Sequence, residues 1–412
     1  MKTKKFLAHC NAVMLLIGYL SMHAVLSVVG IGNTRLASII YDGLQLLLSV
    51  YLIVNSSKGI FAEKGKSVLI VLSLIMLLFT LRMIIDVFWG PFSSIISSIQ
   101  KLNDILLTVG CVFFPAWAMI CTRNEIDIQI VSKSVFWSGL ITCIVTIISI
   151  RVRGILFEEE RMVIGGGLHS LAIAKLGAIE IMASLHMLLN GKRGKIWYMV
   201  GLAAGIFLAL ASGSRGGVAG VAIAIGIYLV ASLRKRLLLM LLGIMFVVLF
   251  IVNLVPILEW IGHYFPVFSG RMLLSIEESD QGGRDAIRQQ CLNLISQYPI
   301  FGYGYRLNSD LTGYGPHNGI LEVFLCLGIP LGLLFVYVVY IKGFVYSLAM
   351  MSDRRFVFPC LITVFSIVSS MSSEALTSGV FVFAIIMASI SYYHIFKKTA
   401  EHISNKMILF RN

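Results

Sequence analysis

A polar, glycine-rich break separates two apolar stretches near the middle of the chain. It runs from Ser212 to Gly217 and reads Ser-Gly-Ser-Arg-Gly-Gly. If a helix begins here, its first N–H groups lack intrahelical partners and its dipole places positive charge at the same end. Glycine and serine also make tight helical hairpins, but a hairpin does not need an arginine. The break therefore predicts an anion site that includes Arg215.

A histidine lies at the mouth of another apolar stretch. It is His317, in the run Gly-Pro-His-Asn-Gly-Ile-Leu-Glu that ends at Glu322. At a helix N-terminus the dipole lowers the pKa of a histidine, and a neutral imidazole can accept a proton. A lone histidine is more often structural than catalytic, so both readings stay open. His317 is the candidate general base.

Two arginines open a short amphipathic segment between these motifs. Apolar residues from Ile287 to Ile295 recur at helical spacing, which predicts a helix. Arg284 and Arg288 stand four residues apart and project from one face of that helix. The planar fork of arginine suits bidentate recognition of phosphate or carboxylate. The pair is therefore predicted to bind an anion.

Helices that cross a membrane must position these residues. The chain is 58% hydrophobic and 13% charged, with a mean hydropathy of +0.91, whereas a soluble domain has about 25% charged residues. The pattern predicts an all-α, polytopic protein with one integral membrane domain over residues 1–412. It has about twelve spans, the first an uncleaved anchor. They are roughly 11–31, 37–55, 67–89, 103–121, 134–151, 165–190, 196–212, 217–232, 237–258, 318–341, 356–370 and 376–396.

The lysines predict the orientation of these spans, because short cytoplasmic loops collect Lys and Arg. Alternate connections carry lysine clusters in unbroken register, so both termini are predicted to be cytoplasmic, in a bacterial inner membrane. The net charge of +13 is mostly this topology signal and does not indicate nucleic-acid binding. The lysine-poor, periplasmic face is rich in arginine instead. Its long connections are 259–317, predicted to carry part of the active site, and 152–164, which contains Arg161 and leads into a glycine run.

Charged residues inside the predicted spans have a structural explanation. Lys175 and Glu180 are expected to neutralise each other or a partner helix, because an unpaired charge in lipid is costly. Glu374 lies in an outward turn and is expected near the rim of the site. The seven cysteines suggest no disulfide framework, and no spacing of side chains suggests a metal site. We expect no cofactor.

Three motifs together resemble the O-antigen ligase and polymerase family. They are the Ser-Gly-Ser-Arg-Gly-Gly break, the segment Gly283–Gly304, and Pro316-His317-Asn318 followed by Leu-Glu and Leu-Gly-Ile. Order and spacing agree over roughly residues 161–340. Each motif alone is weak, but three in order on one membrane face are fairly specific.

This resemblance implies a GT-C-like, metal-independent glycosyltransferase. Its donor would be an undecaprenyl-diphosphate-linked oligosaccharide on the periplasmic side, and its acceptor a lipid-linked repeat unit or lipid A core. In the family, arginines at the positions of Arg215 and Arg284 engage the donor diphosphate, and a histidine at the position of His317 activates the acceptor hydroxyl. Helix spacing and outward placement add Arg288 and Arg161 to the diphosphate-binding set. Membrane lipid and a chain-length regulator are the other expected partners.

The family contains two activities that these motifs do not separate. A polymerase joins repeat units on the lipid carrier, whereas a ligase moves the finished polymer onto lipid A core. The glycine-rich form of the arginine motif favours the polymerase. A flippase or transporter for lipid-linked oligosaccharide would need substrate groups near the bilayer midplane, where only Lys175 and Glu180 support it. A receptor or structural subunit explains the charge asymmetry poorly.

Overall fold

The apolar stretches form helices, because a backbone in lipid must satisfy its hydrogen bonds within its own segment. The structure is a computed structural model. It describes residues 2–29, 35–56, 67–89, 105–153, 156–158, 161–164, 168–191, 193–233, 245, 252–277, 284–304, 316, 318–371 and 377–409.

The described elements are mostly helices. In the first half they are α1 (Lys2–Val29), α2 (Arg35–Val54), α3 (Ser67–Trp89), α4 (Leu106–Cys121), α5 (Ile128–Arg153), α6 (Ser170–Asn190) and α7 (Lys195–Ala211). In the second half they are α8 (Arg215–Leu233), α9 (Leu254–Gly262), α10 (Pro266–Glu277), α11 (Arg284–Gln297), α12 (Gly319–Met350), α13 (Val357–Ser370) and α14 (Gly379–Leu409).

Seven of the described helices are long and apolar enough to cross a membrane. They are α1, α2, α3, α5, α6, α8 and α12, while α4, α7 and the apolar part of α14 are shorter. Most of the predicted span 237–258 lies outside the described residues. The protein is therefore a helical membrane protein, and the count of twelve spans stays a prediction, as does the GT-C-like fold.

A small sheet interrupts the helices in the connection between α5 and α6, which was predicted to face outward. Its strands are β1 (Leu156–Glu158), β2 (Arg161–Ile164) and β3 (Leu168–His169), paired antiparallel in that order. The expected all-α class did not include these strands. Val163 pairs with His169, so the strand that contains Arg161 runs beside the start of α6.

Glycines bring α6 and α7 into backbone contact at the centre of the bundle. A Cβ atom on Gly177 would lie 2.6 Å from the carbonyl oxygen of Gly205, and one on Gly205 would lie 2.8 Å from that of Gly177. Larger residues would force the helices apart, as in other membrane interfaces built from small residues. α6 and α7 are thus packed without intervening side chains.

Glu180 lies buried in this same interface, and the expected pairing with Lys175 is wrong. Its Oε1 accepts a hydrogen bond of 3.1 Å from Ser184 Oγ, and its carboxylate fills the space left by Gly139 and Gly201. Within the described chain, Glu180 Oε2 has no hydrogen-bond partner. Lys175 instead lines a cavity on another side of α6. Five residues along a helix correspond to more than a full turn, so the two side chains diverge.

The two ends of the bundle differ in what they bring together. At one end Lys4 Nζ donates to the carbonyl of Asn55 over 3.3 Å, and Asn190 Nδ2 donates to that of Arg354 over 2.8 Å. These contacts join connections that all belong to the predicted cytoplasmic set. The opposite end contains the starts of α6, α8, α12 and α14, where the candidate residues lie.

Two short helices, α9 and α10, lie within and beside the long outward segment. Ser269 Oγ on α10 donates to the carbonyl of Leu258 on α9 over 2.6 Å. Trp260 and Tyr264 are exposed with their ring centroids 5.6 Å apart. Exposed aromatic pairs of this kind suit a membrane–water interface. α10 in turn packs against the turn between α7 and α8, so it belongs to the candidate site.

Candidate functional site

The break between α7 and α8 is a tight turn closed by its own serines. Ser212 Oγ donates to the carbonyl of Ala209 over 2.7 Å and accepts from the Ser214 N–H over 3.2 Å. Gly213 has a φ of +67°, a conformation that other residues rarely adopt. These contacts explain the Ser-Gly-Ser sequence as a turn. They do not explain the arginine that follows it.

Arg215 begins α8 as predicted, and a second arginine lies against it. Arg215 Nη1 donates to the Arg271 carbonyl over 3.1 Å, and Arg271 Nη1 donates to the Gly213 carbonyl over 3.4 Å. The Arg215 side chain thus reaches the backbone of Arg271, and the Arg271 side chain reaches the backbone two residues before Arg215. Both are partly buried. We call Arg215 and Arg271 the arginine pair.

The arginine pair has the electrostatics of an anion site. Two like charges held together repel each other, and the dipole of α8 adds positive charge at the same point. A doubly charged group with several acceptor oxygens would relieve that repulsion and could accept from both guanidinium forks. The geometry therefore favours a phosphate or diphosphate over a neutral ligand.

The contact between Arg271 and Arg215 was not predicted from the sequence, because no motif surrounds Arg271. The two residues are 56 positions apart, and only the packing of α10 over the turn brings them together. Val267 of α10 fixes this packing: a Cβ atom on Gly213 would lie 2.9 Å from Val267 Cγ1.

Arg284 begins α11 as predicted, although its side chain lies outside what the structure describes. Arg288, one turn later, lies 3.2 Å from Asp285 Oδ1 through its Nη1. This ion pair is exposed and contributes little to stability. Arg288 therefore has a local partner, and its role in binding diphosphate stays a prediction.

The apolar face of α11 packs against α12. Cys291 and Ile295 are buried together with Leu325 of α12. The helix ends at Gln297. The segment that begins at Pro299 then packs against a kink in α12, where Gly328 has a φ of +78°. We call the segment from Pro299 to Gly304, together with this kink, the clamp.

Hydrogen bonds across the clamp satisfy backbone groups that the kink releases. The Ile329 N–H donates to the Pro299 carbonyl over 2.7 Å, and the Gly304 N–H donates to the Leu325 carbonyl over 3.0 Å. The two backbones approach so closely that a Cβ atom on Gly302 would lie 2.8 Å from Gly328 N. An irregular backbone is tolerated in a membrane protein when protein groups pair it in this way.

Arg82 of α3 completes the clamp, and its role is structural. Its Nη1 donates to the Phe301 carbonyl and its Nη2 to the Tyr303 carbonyl, each over 3.1 Å. Its Nε donates to Asp86 Oδ2 over 2.8 Å. Burial, together with the neighbouring Tyr298, raises the pKa of Tyr303, so this phenol stays protonated at neutral pH.

The histidine motif caps the start of α12. Asn318 Oδ1 accepts from the N–H groups of Ile320 and Leu321 over 3.0 and 3.1 Å, as an N-cap residue does. Glu322 Oε1 in the first turn accepts from Thr377 Oγ1 over 3.3 Å. His317 itself lies outside the described residues, directly before the cap. Glu374 also lies outside them, so its expected place at the rim is untested.

The structure shows no contact between two of the predicted site residues whose side chains it describes. Arg215 contacts Arg271, and Arg288 contacts Asp285; neither partner was predicted to belong to the site. The side chain of Arg161 lies outside the described set, although its strand is placed beside α6. Among the described residues, no group of three His, Cys, Asp or Glu side chains could hold a metal ion. Metal independence stays a prediction.

Comparison with known families finds a match in this region. The model of the O-antigen ligase family matches residues 198–336. The matched segment begins in α7, ends in α12 and includes Arg215, Arg271, Arg284, Arg288 and His317. No curated protein matches the chain. The match confirms the resemblance to the O-antigen ligase and polymerase family.

Proposed function

Since residues 198–336 place this membrane protein with the O-antigen ligases and polymerases, we propose that it is a glycosyltransferase of the periplasmic face. Its donor is a glycan linked to undecaprenyl diphosphate, and it acts as a polymerase that joins repeat units on the lipid carrier. The arginine pair at the start of α8 carries the proposal. It places two guanidinium groups at a helix N-terminus where a diphosphate would bind.

The chemistry requires the protein to stabilise a leaving group. The acceptor hydroxyl oxygen attacks the anomeric carbon of the donor, and the bond from that carbon to the phosphate oxygen breaks. Negative charge grows on the departing undecaprenyl diphosphate, where preorganised guanidinium groups stabilise it most. Arg215 and Arg271 supply two of these groups, and Arg284, Arg288 and Arg161 are the further candidates.

In this proposal His317 activates the acceptor hydroxyl. As general base it takes the proton of the acceptor hydroxyl while the new glycosidic bond forms. Its position before the Asn318 cap places it at the positive end of α12, which favours the neutral imidazole that a base must have. No metal is needed if guanidinium groups balance the diphosphate charge.

The histidine role has a direct test in purified protein. We expect His317→Ala to reduce turnover by roughly 10²–10⁴-fold, the usual contribution of acid–base catalysis. Binding of the lipid-linked donor should persist, because the arginines hold it. Transfer rates and donor binding are measured on the same preparation. A normal transfer rate per folded molecule would remove His317 from the mechanism.

Polymerase and ligase differ in the lipopolysaccharide of a deletion strain. Loss of a polymerase leaves core carrying a single repeat unit, whereas loss of a ligase leaves bare core and polymer on the carrier. A gel of lipopolysaccharide from the deletion strain distinguishes the two patterns. Bare core in the deletion strain would identify the protein as a ligase instead of a polymerase. The proposed chemistry of the site would stay the same.

The membrane face has its own test. In a variant without native cysteines, Ser309→Cys lies in the segment 259–317, which we place in the periplasm. A membrane-impermeant thiol reagent should label it in cells whose inner membrane is intact. Labelling only after that membrane is permeabilised would reverse the proposed topology. A chain-length regulator that contacts this face would complete the set of proposed partners.

A further inference from the structure

A cavity of about 570 Å³ lies among the helices outside the region that the family model matches. Its wall comes from α1, α2, α4, α6 and the start of α14, and every lining residue falls between 14 and 175 or between 377 and 380. A volume of this size is typical of a pocket for a small ligand. The residues that line it therefore lie outside the segment that the O-antigen ligase model matches.

The cavity adjoins the proposed catalytic site on two sides. Lys175 lines it, and the neighbouring Ala174 packs against the start of α8, where a Cβ atom on Gly217 would lie 2.8 Å from Ala174 Cβ. Thr377 also lines it and donates to Glu322, in the first turn after the histidine motif. A ligand here would therefore lie close to the α6 residue that packs on the start of α8 and to the threonine that binds the first turn of α12.

Gln45 contributes a polar group to a lining that is otherwise rich in leucine and other apolar residues. Its side chain lines the cavity and the residue is only 1% exposed. In the described part of the chain, Gln45 Nε2 has no hydrogen-bond partner. A buried donor without a partner costs about 1–3 kcal/mol, and native proteins rarely leave one without a reason. A ligand oxygen would accept this hydrogen bond.

Aromatic rings supply a second kind of surface. Tyr19 and Tyr41 both line the cavity, with ring centroids 6.5 Å apart. Tyr41 Oη donates to the Met14 carbonyl over 2.9 Å, which fixes its ring. The negative face of an aromatic ring attracts polarised C–H groups such as those of a sugar. Together with an amide, hydroxyls and one ammonium, the rings make a lining suited to carbohydrate.

Irregular helix geometry borders the cavity as well. The chain is π-helical at Met14–Gly18 in α1 and at Leu106–Phe113 in α4, and residues of both segments line the cavity. Such π turns occur often at functional sites, since the extra residue in the turn opens space and redirects side chains. Two of them facing one cavity indicate a shaped pocket rather than a packing gap.

We infer that this cavity is a sugar-binding subsite, which holds one pyranose residue of the lipid-linked glycan and so selects the repeat unit. Gln45 donates to a ring hydroxyl, the tyrosines contact the sugar face, and Lys175 favours an electronegative or acidic substituent. The inference rests on the proposed function, because it assumes that the ligand is the glycan of the transfer reaction.

The test uses the full-length protein and a probe without diphosphate. The repeat-unit oligosaccharide is released from the lipid-linked precursor of the same strain by mild acid, and its binding is measured by calorimetry. Gln45→Leu should weaken binding about tenfold, since a site built to donate to a hydroxyl loses that bond. Tyr19→Leu should weaken it as well. Gln129→Leu, at the opposite end of the bundle, is the matched control and should bind normally.

The variants separate this inference from the proposed function. Gln45→Leu should fold at least as well as wild type, because it removes an unpaired buried amide, so lost binding is not lost folding. Arg215→Ala should bind the free oligosaccharide normally and fail in transfer. Absent binding to wild type at millimolar concentration, or equal binding by Gln45→Leu and wild type, would overturn the subsite. Normal transfer by Arg215→Ala would overturn the proposed function instead.

Discussion

The arginine pair and the clamp are built from the same kinds of residue, but their arginines have different partners and different proposed roles. Both combine a glycine of positive φ with an arginine near a helix end. At the clamp, Arg82 donates hydrogen bonds to three backbone carbonyls and to one carboxylate. At the pair, Arg215 has one bond to a carbonyl and a second arginine beside it. We therefore propose the arginine pair, at the start of α8, as the place where the diphosphate binds.

The largest effect expected from this contrast is on activity at the pair. We expect Arg215→Ala to lower the transfer rate by roughly 10²–10³-fold, as loss of a transition-state donor does. Its thermal stability should be close to wild type. Arg215→Lys should rescue poorly, because an ammonium cannot make the bidentate fork. Full activity of Arg215→Lys would show that the site requires only a positive charge at this position and not the bidentate fork.

Replacing the arginine of the clamp by alanine should lower the stability of the protein rather than act directly on catalysis. We expect Arg82→Ala to cost about 2–4 kcal/mol of unfolding free energy, because it leaves the buried Asp86 without this ion pair. Thermal unfolding in detergent measures it. The double variant Arg82→Ala with Asp86→Ala should recover part of the loss. If Arg82→Ala kept its stability and lost activity, the contrast between the two regions would fail.

A glycine exchange tests the kink in the clamp. We expect Gly328→Ala to destabilise the fold by about 1–3 kcal/mol, because φ is +78° and a Cβ would meet the Ile300 carbonyl. Gly226→Ala in α8 is the control, since nothing lies within 4 Å of its Cβ position. That control should be neutral or gain about 0.5–1 kcal/mol from helix propensity. Equal melting temperatures would show that the clamp is loose.

The smallest effect is expected at Arg288. Arg288→Ala should change stability by less than about 0.5 kcal/mol, because its ion pair with Asp285 is exposed. An increase in donor KM without loss of stability would add Arg288 to the diphosphate site. If the donor KM of Arg288→Ala were unchanged, Arg288 would be a surface residue without a role in binding the donor. The proposed diphosphate site would then consist of the other arginines.

The sequence predicts the helices well and the contacts between them poorly. Arg215 at the start of α8 and Arg284 at the start of α11 could be predicted, since lipid forces apolar runs into helices and polar breaks end them. The role of Arg271 could not, because its contact with Arg215 depends on how α10 folds back over a turn. The expected pairing of Lys175 with Glu180 was wrong for a different reason: five residues along one helix place the two side chains on different sides of α6. The roles of His317 and Arg161 stay predictions.

The glycine contact between α6 and α7 has a geometric consequence for the substrate. With Gly177 against the backbone of Gly205, neither helix can slide or tilt without breaking that contact. Lys175 on α6 and the turn at the end of α7 are therefore held at a constant spacing. If the cavity binds a sugar and the arginine pair binds the diphosphate of the same glycan, this constant spacing would favour glycans in which the two groups lie at the matching distance.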